Sequence, residues 1–208
     1  MPSSRPRGCA PDRIAYLLEL YANLREQDLR WEWFLALDGV SEEGVPEVRR
    51  ADARVKFVAL PKPVGARAAH NFAVNEVSAD WLTTSDDDDV LPAQSLSVRL
   101  RDAQRHDLGW CAGWSADLQP DRSITPWRCS TPPGFHAPGD VRRYWASPDS
   151  ALPIGPTTLL ARTAIVRASG GYAAPPQGED YAHFVGVTGA ADRGLPLPQA
   201  LGADDGSA

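Results

Sequence analysis

The chain has 208 residues, a formal net charge of −6, 43% hydrophobic residues and 23% charged residues. That is ordinary globular composition, and the negative charge excludes broad electrostatic capture of nucleic acid. No apolar run approaches the roughly 18 residues of a membrane span. The three cysteines, Cys9, Cys111 and Cys129, have no metal-ligand spacing and predict reduced thiols in a cytoplasmic setting.

Residues 1–10 are polar and proline-containing, so an irregular N-terminal segment is expected there, with no secretory signal. Pro11 and Asp12 suit a first helical turn, and Ile14, Leu17, Leu18, Tyr21 and Leu24 predict an amphipathic helix to about residue 27. Residues 31–37 are aromatic and aliphatic and read as a strand, stopped by the turn signal Asp38-Gly39. A second strand spans 55–60 and ends at Pro61-Lys62-Pro63. A helix follows from Gly65 through Val77, with Ala69 and Ala73 permitting close packing on a sheet. Residues 81–85 form a third strand that runs into Asp86-Asp87-Asp88-Asp89. Pro92 then opens a helix to about residue 105. Residues 108–116 read as a strand, while 117–150 have no clear period and predict a long aromatic loop. A strand at 156–161, a helix at 162–169 closed by Gly170-Gly171, a helix after Glu179-Asp180 and a short strand within 195–201 complete the domain. Residues 203–208 read as a tail, giving one domain over 11–202. Alternating strands and helices predict an α/β fold with a mostly parallel central sheet flanked by helices.

Four adjacent carboxylates repel one another and require solvent or a cation. They follow a strand and precede a helix, which is where an α/β sheet binds ligands. Asp38 ends another strand, and parallel neighbours would bring it to the same sheet edge. Magnesium or manganese takes one or two carboxylates plus ligand phosphates. Asp88 is therefore the candidate metal ligand and Asp86 a candidate ribose contact. No D-x-D-x-D-G loop follows, which excludes an EF-hand. Asp180 fits a general base if the fold brings it near the metal; otherwise Glu179-Asp180 complements a helix dipole. Arg67, His70 and Asn71 either face phosphates or sit on a solvated helix. His106, His136 and His183 have no ligand spacing and read as core or surface histidines.

These pieces, in this order, resemble the family 2 glycosyltransferases of the GT-A fold. The matching segments are residues 31–39, Gly65-Ala66-Arg67-Ala68-Ala69-His70-Asn71, the run Asp86 to Pro92, Gly170-Gly171-Tyr172 and Gly178-Glu179-Asp180, together covering roughly 12–200. The resemblance implies inverting transfer of a sugar from a nucleotide-diphosphate donor to a hydroxyl acceptor, with Mn2+ or Mg2+. It assigns Asp38 to the base, Asp86 to the ribose, and Arg67 and Asp87 to the nucleotide-sugar. Asp88 takes the metal, Glu179 the acceptor, and Asp180 the role of catalytic base; the acceptor is expected at 117–150. There are three departures. The strand that opens the family's domain is expected to be missing or replaced at residues 1–10. His70 stands where the family has arginine. Gly186 and Val187 stand where the E-D helix usually carries one. The alternative is an impaired or truncated protein that binds nucleotide or carbohydrate without turnover. A nucleotidyltransferase is disfavoured because no glycine-rich G-x-G-T-R-like loop stands near the start.

Overall fold

A computed structural model describes residues 11–42, 45, 50–146, 154–173, 179–190 and 194–196, with Pro11, Asp12, Pro156, Glu179 to Tyr181, Leu195 and Pro196 described by backbone only. The predicted irregular start and tail therefore lie outside the described residues, as does the question of a missing first strand.

The chain opens with α1 (Pro11–Arg25), whose Leu17, Leu20, Tyr21 and Leu24 form the buried stripe; Leu18 falls outside it and is exposed. Strands β1 (Trp33–Asp38) and β2 (Val55–Leu60) pair in parallel, with Asp38 opposite Leu60. Helix α2 (Ala66–Glu76) packs on β1 and buries Ala69 and Val74, the latter in the core of the four-stranded sheet, while Phe72 is left exposed. Next come β3 (Trp81–Thr83), α3 (Ser95–Arg105) and β4 (Trp110–Ala112). A hairpin of β5 (Ala116–Leu118) and β6 (Ile124–Pro126) precedes α4 (Asp140–Trp145). A 3-10 turn (Pro156–Thr158) leads into β7 (Leu159–Arg162) and α5 (Thr163–Ala168). Helix α6 (Glu179–Ala190) and β8 (Gly194–Pro196) close the fold.

The α/β class holds, but the pairing is mixed rather than mostly parallel. One sheet is β1–β2. The second has the order β3–β7–β4–β8, in which β7 runs antiparallel to both β3 and β4 while β4 and β8 are parallel. The reason lies in the connection. A helical crossover returns a chain parallel to the strand it left, whereas β7 follows a hairpin, α4 and a 3-10 turn, and that path leaves its direction free. The strand expected over 108–116 breaks at residues 113–115, and the region expected to be irregular holds the β5–β6 hairpin and α4. Its turn places Arg122 in the left-handed region, φ 69°, with the Gln119 amide donating to the Ser123 carbonyl. Pro92 does not begin α3: the Ser95 amide donates to the Pro92 carbonyl in a turn, and the helix starts there. Buried Gln27 supports that start. Its Nε2 donates to the Pro92 carbonyl and its Oε1 accepts from the Leu96 amide.

The main core lies against the four-stranded sheet, around Trp110, Val141, Ile154, Val166, Phe184 and Val187. A second cluster packs Leu20 and Leu24 of α1 on Leu91 and Leu96. Each such side chain contributes about 1.5–3 kcal/mol by leaving water. Among the described residues no helix is long and apolar enough to cross a membrane.

Candidate functional site

The registers Thr83 opposite Leu160 and Ala112 opposite Leu159 put the C-terminal ends of β3 and β4 at the same sheet edge as the start of β7. The acidic run leaves from that edge as a tight turn. Asp89 turns inward: its Oδ2 accepts from the Asp86 amide at 2.8 Å and from Ser85 Oγ at 3.0 Å. Burial pushes the Asp89 carboxyl above its ordinary range, against the pull of those donors. Asp89 therefore shapes the turn, and the side chains of Asp86 and Asp88 are exposed.

Asp87 and Asp88 share one cation from α1. Arg13 Nη1 lies 2.5 Å from Asp87 Oδ1 and 3.3 Å from Asp88 Oδ2. Burial raises the pKa of Asp87, and the Arg13 guanidinium opposes that shift.

Asp38 stands at the end of β1, where its carboxylate organises the loop before α2. Oδ1 accepts from the Val64 amide at 2.6 Å and Oδ2 from the Gly65 amide at 3.0 Å. The adjacent Gly39 has φ 71°, and a Cβ there would lie 2.6 Å from Pro63 Cδ, so the turn admits no side chain. Arg67 lies in the first turn of α2, one residue beyond its start.

One turn further along α2, Asn71 clamps the backbone of Tyr172. Its Nδ2 donates to the Tyr172 carbonyl at 2.9 Å, and its Oδ1 accepts from the Tyr172 amide at 2.8 Å. Gly171 carries φ 67°, and a Cβ there would fall 2.3 Å from Asn71 Oδ1. The Tyr172 ring lies between two imidazoles: His183 stacks on it at 4.0 Å and 5°, and His70 meets it edge-on at 4.6 Å. The Tyr172 hydroxyl is 2.6 Å from Thr84 Oγ1, two residues before Asp86. His183 Nδ1 lies 3.1 Å from the Gly171 carbonyl oxygen, and burial lowers its pKa.

Glu179 and Asp180 are in the first turn of α6, and their side chains lie outside the described residues. Asp180 precedes His183 by three residues, so the Tyr172 column ties the start of α6 to the strand end that launches the acidic run. Asp38 holds Gly65, which caps α2, and the Asn71 clamp follows six residues later, about 9 Å along the helix. A groove of about 440 Å3 is lined by Glu32, Phe34, Lys56 and Glu76 among others, and none of the candidate residues lines it.

A sequence model for Glycosyl transferase family 2 matches residues 10–151. The chain belongs to glycosyl transferase family 2. The match spans Asp38, the Gly65 loop and the acidic run, and it ends before Gly170 and Asp180. No curated protein matches the chain in sequence. Among solved structures, Staphylococcus aureus TarS 1-349 superposes with a TM-score of 0.69 at 17% identity, over 90% of this chain and 56% of that one. TarS 1-349 in complex with UDP-GlcNAc gives 0.68 at 16% identity, over 89% and 53%. The mannosyltransferase PcManGT from Pyrobaculum calidifontis, in complex with GDP-Man and Mn2+, gives 0.59 at 14%, over 96% and 56%. These likenesses show the GT-A glycosyltransferase fold. The chain spans little more than half the length of these structures.

Two contributors escaped the sequence reading. Arg13 is a cation in a helical first turn, where anions are favoured; that mismatch was its signal. His183 read as a core or surface histidine because its stacking partner is fixed only by the tertiary fold.

Proposed function

We propose that this family 2 domain transfers a sugar from a nucleotide-diphosphate donor to a hydroxyl acceptor, with inversion and with a divalent cation, in a cytoplasmic setting. The observation that carries the reading is the acidic turn. Asp89 is consumed by the turn itself, and the side chains of Asp86 and Asp88 are exposed at the C-terminal end of β3. Magnesium or manganese uses few carboxylates and fills the remaining positions with phosphate oxygens and water, so Asp88 with the donor diphosphate would serve although no three acidic, histidine or cysteine side chains converge among the described residues. The Arg13 guanidinium paired with Asp87 and Asp88 supports this reading, because the turn already holds one positive charge. Asp88 would hold the metal, which when bound supplies Lewis-acid stabilisation to the departing diphosphate.

The remaining roles belong to side chains of this chain. Asp38 and the loop it holds contact the base, and Asp86 contacts the ribose hydroxyls. Arg67 and Asp87 border the nucleotide-sugar, and Glu179 orients the acceptor. Asp180 accepts the proton of the acceptor hydroxyl as that oxygen bonds the anomeric carbon and the carbon–diphosphate oxygen bond breaks. Attack from the face opposite the leaving group inverts the centre, through a transition state of oxocarbenium character.

The donor range to test begins with the ligands named for the neighbours, UDP-GlcNAc and GDP-Man. Transfer or hydrolysis of UDP- and GDP-sugars with Mn2+ should be measurable, and Asp88→Ala should abolish it. Unchanged activity in Asp88→Ala removes the metal role. Calorimetric binding of a nucleoside diphosphate without any turnover replaces the enzyme with a binding protein.

A further inference from the structure

The acidic turn already carries a cation that belongs to the chain. We propose that Arg13 is a built-in occupant of the divalent-cation position: it neutralises Asp87 and Asp88 in the cation-free protein and must leave for the metal to bind. The proposal rests on the metal reading above and goes beyond it by assigning a competitor.

Three observations support it. The first is geometric. A single nitrogen, Arg13 Nη1, reaches the carboxylates of two consecutive residues, Asp87 at 2.5 Å and Asp88 at 3.3 Å. That placement puts a positive centre where a hard cation would approach Asp88. The second is energetic. Arg13 is in the first turn of α1, whose dipole disfavours positive charge. The helix gains nothing from a cation there, whereas the acidic turn 74 residues away gains a counter-charge. The third is accessibility. The side chains are 45% exposed for Arg13, 31% for Asp87 and 52% for Asp88. A bridge this open is worth little, so the guanidinium can be displaced by a cation that brings its own diphosphate.

The arrangement makes the loaded and unloaded states mutually exclusive at one side chain. Without metal, α1 is tethered to the acidic turn through Arg13. With metal, Arg13 is released next to the bound diphosphate.

The test is Mn2+ affinity of the full chain, by titration calorimetry and by water-proton relaxation, without nucleotide. Arg13→Gln should bind Mn2+ about two- to fivefold more tightly than the parent, the amount expected for losing an exposed competing ion pair. Arg13→Lys keeps the charge and should stay near the parent. Asp88→Asn should lose the site in either background. Equal or weaker Mn2+ binding in Arg13→Gln, with Asp88→Asn still abolishing it, overturns the competitor and leaves the metal reading standing. No Mn2+ binding in the parent, Arg13→Gln or Arg13→Lys overturns both.

Discussion

The clamp between Asn71 and Tyr172 lends itself to a double-mutant cycle with Gly171. Asn71→Ala removes two hydrogen bonds, at 2.8 and 2.9 Å, to the backbone of a residue only 5% exposed. Each of the two buried groups left without its partner costs about 1–3 kcal/mol, so the expected loss is about 2–6 kcal/mol. Gly171→Ala carries two separate penalties. An alanine at φ 67° costs about 1–2 kcal/mol for the left-handed backbone. Its Cβ would also lie 2.3 Å from Asn71 Oδ1 and so expel the carboxamide, breaking the same two bonds. The total for Gly171→Ala is then about 3–8 kcal/mol in the parent. In the Asn71→Ala background only the backbone penalty of about 1–2 kcal/mol remains. Urea denaturation of the four proteins should therefore give a coupling equal to the clamp loss, about 2–6 kcal/mol, with the double variant far more stable than the sum predicts. Additivity within about 0.5 kcal/mol would refute the shared-clamp account.

Burial holds the His183 imidazole below its ordinary pKa of 6.5, so the unfolded chain takes up a proton that the folded chain refuses. Stability therefore falls as pH drops below about 6.5. Thermal unfolding between about pH 7.5 and 5.5 should show this dependence, and His183→Phe should flatten it. The Cys111 thiol is buried and pushed up to about 12 by desolvation. A thiol reagent near neutral pH should modify half-buried Cys129 first and Cys111 only as the chain opens; equal rates, read by mass spectrometry, count against this packing. Asp89→Ala removes the acceptor for the Asp86 amide and Ser85 Oγ, so Mn2+ binding should weaken although Asp89 is no ligand. Asp89→Asn keeps an acceptor oxygen and should retain most of the binding, a contrast that calorimetry can measure.

Most of the element order was legible because each segment carries its own local signal. The 3/4 stripe of α1, the Asp38-Gly39 stop and the position of the acidic run all stand where the pattern puts them. Strand direction was not legible for β7, because no helical crossover fixes it. The hairpin at 116–126 was hidden because its strands are three residues each and exposed on both faces. In the site, the position of the acidic run after β3 was readable, but the division of labour within the run was not. Only the fold shows that Asp89 bonds the Asp86 amide and that Asp87 faces Arg13. The Asn71–Tyr172 clamp joins residues 101 apart in sequence, a pairing that no local spacing encodes.

Among the described residues no backbone ladder joins β1–β2 to the four-stranded sheet. The two are joined through α2, which packs on β1, bonds Tyr172 through Asn71, and has its Val74 and Asn75 carbonyls, with that of Val77 just beyond its end, held by Arg167 of α5. They are joined also through the α1 cluster, where Trp33 of β1 packs against Leu20, Leu24, Leu91 and Leu96. The two-stranded sheet is thus attached by side chains rather than by strand pairing. Amides of β4 and β7 should exchange with deuterium only on global unfolding, and those of β1 and β2 through a cheaper local opening. The Asp38 loop can then open while the acidic turn stays ordered, and a donor touching both would couple the two motions.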